Sequence, residues 1–175
     1  MTLLPPTVLR AALPGAASEE EAVALAPSSG LELGYLTIQA GLAVGSAIDA
    51  AAAELGVVGS DLRALYGLAV HGTLPAGALA QVLALQQSTV TLISDRLESG
   101  GLLLRERDPA DRRRVLLRPT PAGEALLAQA AARVRVELQE LFAPLSPAAA
   151  ASLAALLGEV VEPWLLQRLP GRTAA

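Results

Sequence analysis

Six of this chain's thirteen basic residues, all arginine, fall between residues 105 and 118, in the stretch RERDPADRRRVLLR. A guanidinium stays charged at any physiological pH and donates its N–H groups in a fixed planar fork, which suits phosphate and carboxylate oxygens. Just upstream, Gln87, Ser88, Thr89 and Thr91 bring amide and hydroxyl groups together. Glutamine can read the edge of adenine, and serine or threonine can bond bases or phosphates; capping and solvation are the other uses of these groups. The chain as a whole is acidic, with a formal net charge of −4, but its charge is segregated. Residues 62–118 hold eight arginines against five carboxylates, a net of +3, and the remainder holds five against twelve, a net of −7. Affinity for nucleic acid comes largely from counterion release, so local positive charge matters more than the global balance.

Other chemistries are poorly supplied. There is no cysteine, which excludes disulfides, thiol catalysis and cysteine-ligated metals. One histidine, His71, makes a zinc site a poor expectation, and no other metal or cofactor site is expected. A nucleophile–base pair would have to be improvised from a serine and His71, and no Gly-rich phosphate loop follows a strand, so no catalytic residue is assigned. A signal peptide is not expected, because Pro5, Pro6 and Pro14 interrupt the N-terminal region. Two uncharged runs bear on a membrane. The first, 33–48, is 16 residues long and includes Thr37, Gln39 and Ser46; the second, 141–158, contains Pro144 and Pro147. Neither reads as a spanning helix, and a cytoplasmic protein is expected.

The elements that must carry these groups follow from periodicity. Residues 1–30 read as an appended arm. Ser18-Glu19-Glu20-Glu21 has capping-box spacing, which predicts a short helix, and Pro27-Ser28-Ser29-Gly30 reads as a linker. Leu31, Tyr35, Ile38 and Leu42 recur at helical spacing in a long helix over 31–55. Ser60-Asp61 is placed to cap a helix over 62–71, with Leu62, Leu65, Ala69 and Val70 as its inner face and Gly72 ending it. Pro75 fits the first turn of a short helix to residue 83. The next helix runs over 87–99 with Val90, Ile93 and Leu97 as its buried stripe, and stops at Gly100-Gly101. The pattern then changes to two strands, 102–107 and 114–118, around an Asp108-Pro109-Ala110-Asp111 turn. Leu127, Ala131, Val134, Leu138, Leu141 and Leu145 form a heptad-like seam, and Leu153, Leu156, Val160 and Trp164 continue it after a Ser146-Pro147 start. Such seams bury against their own domain or form a dimer; a helical homodimer is the expectation.

Helices, then a two-stranded hairpin, then long helices is the order of a winged helix-turn-helix, whose second turn helix enters the DNA major groove. The fold expected is therefore mainly α with a small β-hairpin wing. A winged helix-turn-helix lobe would occupy 59–120, and a dimerisation region would be built from long N- and C-terminal helices at 31–58 and 121–168. The arm at 1–30 and a tail at 169–175 lie outside it.

The central stretch carries a resemblance. QQSTVTLISDRLESGGLLLRERDPADRRRVLLRPTPAG, residues 86–123, resembles the MarR family of bacterial transcription regulators. The matching positions are Ser88-Thr89-Val90-Thr91, Asp95-Arg96-Leu97-Glu98, Gly101, Asp108, Asp111-Arg112-Arg113, and Thr120 with Gly123. The chain departs from the family pattern at Ala84 and Gln86, where Gly and Ser are usual, at Leu92, often basic or polar, and at Pro119, usually Leu. The resemblance implies a homodimer on a pseudo-palindromic operator in double-stranded DNA, usually acting as a repressor. It also implies release by a small, often aromatic, anionic effector.

Within that frame Gln87, Ser88, Thr89 and Thr91 are expected to contact DNA, and Leu92 to touch a thymine methyl. Arg96, on the exposed side of its helix, can reach phosphate or pair with Glu98 or a wing carboxylate. Asp95 would repel phosphate and is expected to hold a wing arginine. Arg112 follows Asp111, which can fix the turn; by resemblance it enters the minor groove. Arg113 is expected to bind Asp95 or backbone, and Arg114 phosphate. Tyr35, Arg63, Tyr66 and His71 are the candidates for an effector site, with packing or solvation the plainer use of each. A winged-helix interaction module without operator binding is the alternative function, and salt-dependent DNA binding separates the two.

Overall fold

The structure is a computed structural model that describes Ser18 and residues 30–168. The helix expected in the N-terminal arm and the C-terminal tail lie outside the described residues. The chain falls into two compact units, Met1–Gly45 and Ser46–Ala175.

In the first unit the described residues are mainly the front of a long helix, α1 (Leu31–Glu54). Gly30 precedes it at φ 72°, and its carbonyl accepts from the Gly34 amide at 2.8 Å. The expected stripe is open to solvent: Leu31 and Tyr35 are exposed, and Ile38 and Leu42 are each more than three-fifths exposed.

The second unit begins with the rest of α1 and continues through α2 (Gly59–His71), β1 (Leu74–Pro75), α3 (Ala76–Leu83), α4 (Gln87–Ser99), β2 (Leu103–Arg107), β3 (Val115–Pro119), α5 (Pro121–Phe142) and α6 (Pro147–Leu166). The strands form an antiparallel sheet in the order β1-β3-β2. Leu74 pairs with Leu117, and Leu103 with Pro119. One apolar cluster joins Leu65 and Leu68 of α2, Leu79 of α3, Val90, Ile93 and Leu97 of α4, and Leu103 and Leu117 of the sheet. A second, of Ala52, Leu62 and Ala130, ties α1, α2 and α5 together, and Leu126 packs against both.

Four local expectations are corrected. α2 starts at Gly59 with Val58 as N-cap and no side-chain cap, so Ser60 and Asp61 lie inside the first turn. Asp61 is buried, and a buried carboxylate serves better as an ion-pair partner than as a cap. The inner face of α2 turns on Leu62, Ala64, Leu65 and Leu68, while Ala69 and Val70 are exposed. Pro75 is the N-cap of α3 and pairs in the sheet, a third strand that two residues are too few to announce. The heptad seam breaks at Phe142, where α5 ends, which puts Leu145 in the connection before α6.

The turn between α3 and α4 bends the chain by 109°, inside the range of about 90–120° typical of a helix-turn-helix. Ala84 sits there at φ 53°, the one non-glycine residue with positive φ among the described residues. The Leu85 amide donates to Ala80 O at 2.9 Å and closes the end of α3. Gln86 is the N-cap of α4 and makes no side-chain cap bond, so the cap a serine would supply is lost.

α6 starts as expected: Ser146 is its N-cap and accepts from the Ala149 amide at 3.2 Å, with Pro147 in the first turn. None of its residues is buried, and Leu156 and Val160 are 59% and 67% exposed. α1 and α6 are both longer than the runs weighed in the sequence, and by length and composition alone either is sufficient to cross a bilayer. Pro147 opens α6 and does not interrupt it.

One position fixes how α5 leaves the wing. The Thr120 hydroxyl accepts from the Gly123 amide at 3.0 Å and donates to Gly101 O at 2.7 Å. The Thr120 amide donates to Leu102 O at 3.0 Å. A β-carbon on Gly123 would stand 2.1 Å from that same carbonyl oxygen. Gly123→Ala is therefore expected to destabilise the fold by about 2 kcal/mol through forced displacement of backbone. Urea unfolding checks this; an unchanged midpoint would contradict the close approach.

Candidate nucleic-acid interface

α4 presents its expected stripe inward: Val90, Ile93 and Leu97 are buried. Ser94 is buried with them, its hydroxyl donating to Val90 O at 2.8 Å. Gln87, Ser88, Thr89, Thr91 and Leu92 all face outward, with Leu92 65% exposed. The Thr91 hydroxyl turns back along the helix to Gln87 O at 3.0 Å.

Arg96 leaves this exposed side for a partner not expected from the sequence. Its Nε donates to both carboxylate oxygens of Asp61, at 3.0 and 2.9 Å, its Nη2 also bonds Asp61, and the same Nη2 reaches Ser60 Oγ at 3.3 Å. The Asp61 side chain is almost fully buried and that of Arg96 half-exposed. The hydrogen bonds to Asp61 hold the Arg96 guanidinium protonated even above its ordinary range, against the opposing pull of desolvation. The pair ties the first turn of α2 to the last turn of α4.

A second clamp was missed in the sequence. Arg105, near the base of the wing on β2, donates from Nη2 to Asp95 Oδ1 at 2.5 Å and to Thr91 O at 3.5 Å. Its Nη1 lies 3.4 Å from Glu98 Oε2. Asp95 thus holds a wing arginine, but it is Arg105 and not Arg113. The signal was available: Asp95 and Glu98 are three residues apart on an exposed helix face, a spacing that aims both at one cation.

The wing loop orders itself through short local bonds. Asp108 Oδ1 accepts from the Ala110 amide at 2.9 Å, and Asp111 Oδ1 from the Arg113 amide at 3.0 Å. The Asp108 amide donates to Arg114 O at 3.0 Å and closes the loop. Arg107 Nη1 donates to Arg112 O at 3.2 Å. Arg118 pairs with Glu106 at 2.8 Å, and Arg114 Nε stands 3.9 Å from Asp108 Oδ2. Arg112 and Arg113 are exposed, and no hydrogen bond or ion pair engages either side chain within the described residues. The arginines of the wing are thus of two kinds: those at its base and along its strands are tied to protein groups, and two at the tip are not.

The effector candidates divide between the units. Tyr35 is on the first part of α1; Arg63, Tyr66 and His71 are on α2. Arg63 is paired with Asp49 at 2.9 Å, Tyr66 is 63% exposed, and His71 closes the last turn of its helix.

The MarR family model matches residues 60–115, from the first turn of α2 to the end of the wing loop. Over these residues the chain is similar to the MarR family. An HTH-type transcriptional regulator of Bacillus subtilis, YcgE, is 37% identical over 97 residues, which cover 55% of this chain and 56% of that protein. The chain thus spans little more than half the length of the curated relatives it matches. Among solved MarR-family folds, a mutant of MarR from E. coli, crystallised with operator DNA, superposes with a TM-score of 0.63 at 26% identity, over 74% of this chain and 94% of that one. BpsR of Bordetella bronchiseptica, described with the regulation of its DNA binding by 6-hydroxynicotinic acid, gives 0.62 at 26% identity, over 74% and 98%. The fold is the family's winged helix.

The Arg96–Asp61 pair gives a direct check on the architecture. Arg96→Ala would leave a buried carboxylate without its partner, at a cost of about 2 kcal/mol, less than for a fully buried pair because the arginine is half-solvated. Thermal unfolding of the free protein reads this; a variant as stable as the parent, with weaker DNA binding, would return Arg96 to the phosphate contact weighed in the sequence.

Proposed function

We propose that this chain is a dimeric, sequence-specific DNA-binding transcriptional regulator, a repressor released from its operator by a small ligand, and that it works in the cytoplasm. The observations that carry the reading are the pair of uncommitted arginines, Arg112 and Arg113, at the tip of a wing whose base Arg105 ties to α4, and the exposed polar start of that helix. Guanidinium groups without a protein carboxylate remain free to meet phosphate or a minor groove. The match to the MarR family model and the likeness to a relative crystallised on operator DNA support the same conclusion. In this reading Gln87, Ser88, Thr89, Thr91 and Leu92 face the major groove, Arg112 enters the minor groove, and Arg113 and Arg114 meet backbone. Arg96 serves by fixing the tilt of α4.

The dimer accounts for the open apolar faces of α1 and α6, which in a single chain expose more large aliphatic side chains than a soluble monomer tolerates. The polar end of α1 argues for protein and not lipid as the partner: Asp49 and Glu54 are held by Arg63 and Arg133, each at 2.9 Å. Light scattering without detergent should give twice the chain mass of 17.8 kDa; a protein that stays monomeric, or that needs micelles to dissolve, contradicts the assignment.

An aromatic anion is the ligand class supported by the family resemblance and by the likeness to BpsR. Arg63, Tyr66 and His71, all on α2, are the residues of the second unit proposed to meet it. Arg63 is already paired with Asp49 through Nη2, so the anion would share the guanidinium with that carboxylate or displace it.

Fluorescence anisotropy with DNA from upstream of the protein's own gene, against a scrambled duplex, tests the function. The expected result is selective, salt-sensitive binding that Arg112→Ala weakens on the order of tenfold. Selective binding that ignores the substitution would remove the role from Arg112, and absence of binding even to random DNA at low salt would favour the interaction-module alternative.

A further inference from the structure

We infer that the half-site this protein reads is made of A·T pairs, with a thymine methyl group packed against Leu92. The inference deepens the regulator reading and rests on it. Its ground is what α4 has available for base edges. The outward residues of its first turns, Gln87, Ser88, Thr89, Thr91 and Leu92, carry no charge. The Thr91 hydroxyl donates its proton to Gln87 O, so its methyl and an accepting oxygen are what it can still offer. Charged residues follow further along the helix, but each has a protein partner: Arg96 is bound to Asp61, and Asp95 and Glu98 are held by Arg105.

Guanine is read in the major groove chiefly by arginine or lysine, bidentate on O6 and N7. α4 has one cation, and a buried carboxylate already holds it. What remains is the chemistry of the other base pair: a glutamine amide matches N6 and N7 of adenine, and an apolar side chain matches the C5 methyl of thymine. Leu92 is large, apolar and 65% exposed on the face that meets the bases, where burial against a methyl group is its most favourable use.

The wing adds a separate preference in the same direction. Arg112 and Arg113 are uncommitted at the loop tip. A guanidinium entering a minor groove is drawn to the narrow, strongly negative groove of A-tracts. Both grooves therefore favour the same base pairs.

The test uses the full chain and a random-sequence duplex library. Bound sequences are recovered, and the consensus is then re-measured with each thymine replaced in turn by deoxyuridine, which removes the C5 methyl and nothing else. The expected consensus has A·T pairs at the core of each half-site. One thymine per half-site should be sensitive, its replacement weakening binding by about fourfold, the worth of one buried methyl. Leu92→Ala should bind more weakly and lose the sensitivity at that base alone. A half-site core of G·C pairs, or replacement without effect at every thymine, overturns the inference while leaving a sequence-specific regulator. Recovery of no consensus at all overturns both.

Discussion

A carboxylate buried in the first turn of α2 needs a cation, and Arg96 supplies it. Asp61 is buried, where an unpaired charge is costly, so the guanidinium that satisfies it must stay in place. Because Arg96 lies in the last turn of α4, the pair anchors one end of that helix to α2, while Val90, Ile93 and Leu97 fix which side faces the core. The direction in which Gln87, Ser88, Thr89, Thr91 and Leu92 point is a consequence of these two constraints. An interaction that looks on a helical wheel like a spare cation is instead a fixed point of the interface.

The same logic sorts the other arginines. Arg63, Arg105, Arg118 and Arg133 each meet a carboxylate, and Arg107 a carbonyl of the loop it supports. Most exposed pairs of this kind add little to stability individually. Their effect is geometric. Arg105 holds the wing against the outer face of α4, and Arg107 with the Asp108 and Asp111 turns shapes the loop. Arg112 and Arg113 are left at the tip with their charge unspent, carried by an ordered loop on an otherwise acidic protein.

Much of this was legible in the sequence, and the failures have physical causes. The stripe of α4, the hairpin and the start of α6 follow from periodicities and turn residues that local chemistry fixes. The tilt of α2 did not follow. Its capping signal, Ser60-Asp61, was real as a pair of residue types, but tertiary burial claimed Asp61 for Arg96, 35 residues away, and no local pattern reports that. β1 is too short to carry a period, and it forms only because β3 offers an edge. The partner of Asp95 was assigned to the wrong arginine because the sequence shows how many cations the wing has, not which strand position lies over α4. The charge map counted paired and unpaired cations alike, and the proposed interface depends on the difference.

That difference is the central claim, and the salt dependence of operator binding measures it most directly. The slope of log Kd against log salt counts the cations that displace counterions from the DNA. Replacing both Arg112 and Arg113 with alanine should shallow the slope by about one unit for each arginine removed from each protomer. Arg118→Ala, which removes a cation already paired with Glu106, should leave the slope unchanged. A slope that is insensitive to the tip arginines, or that falls as much for Arg118→Ala, would contradict the account.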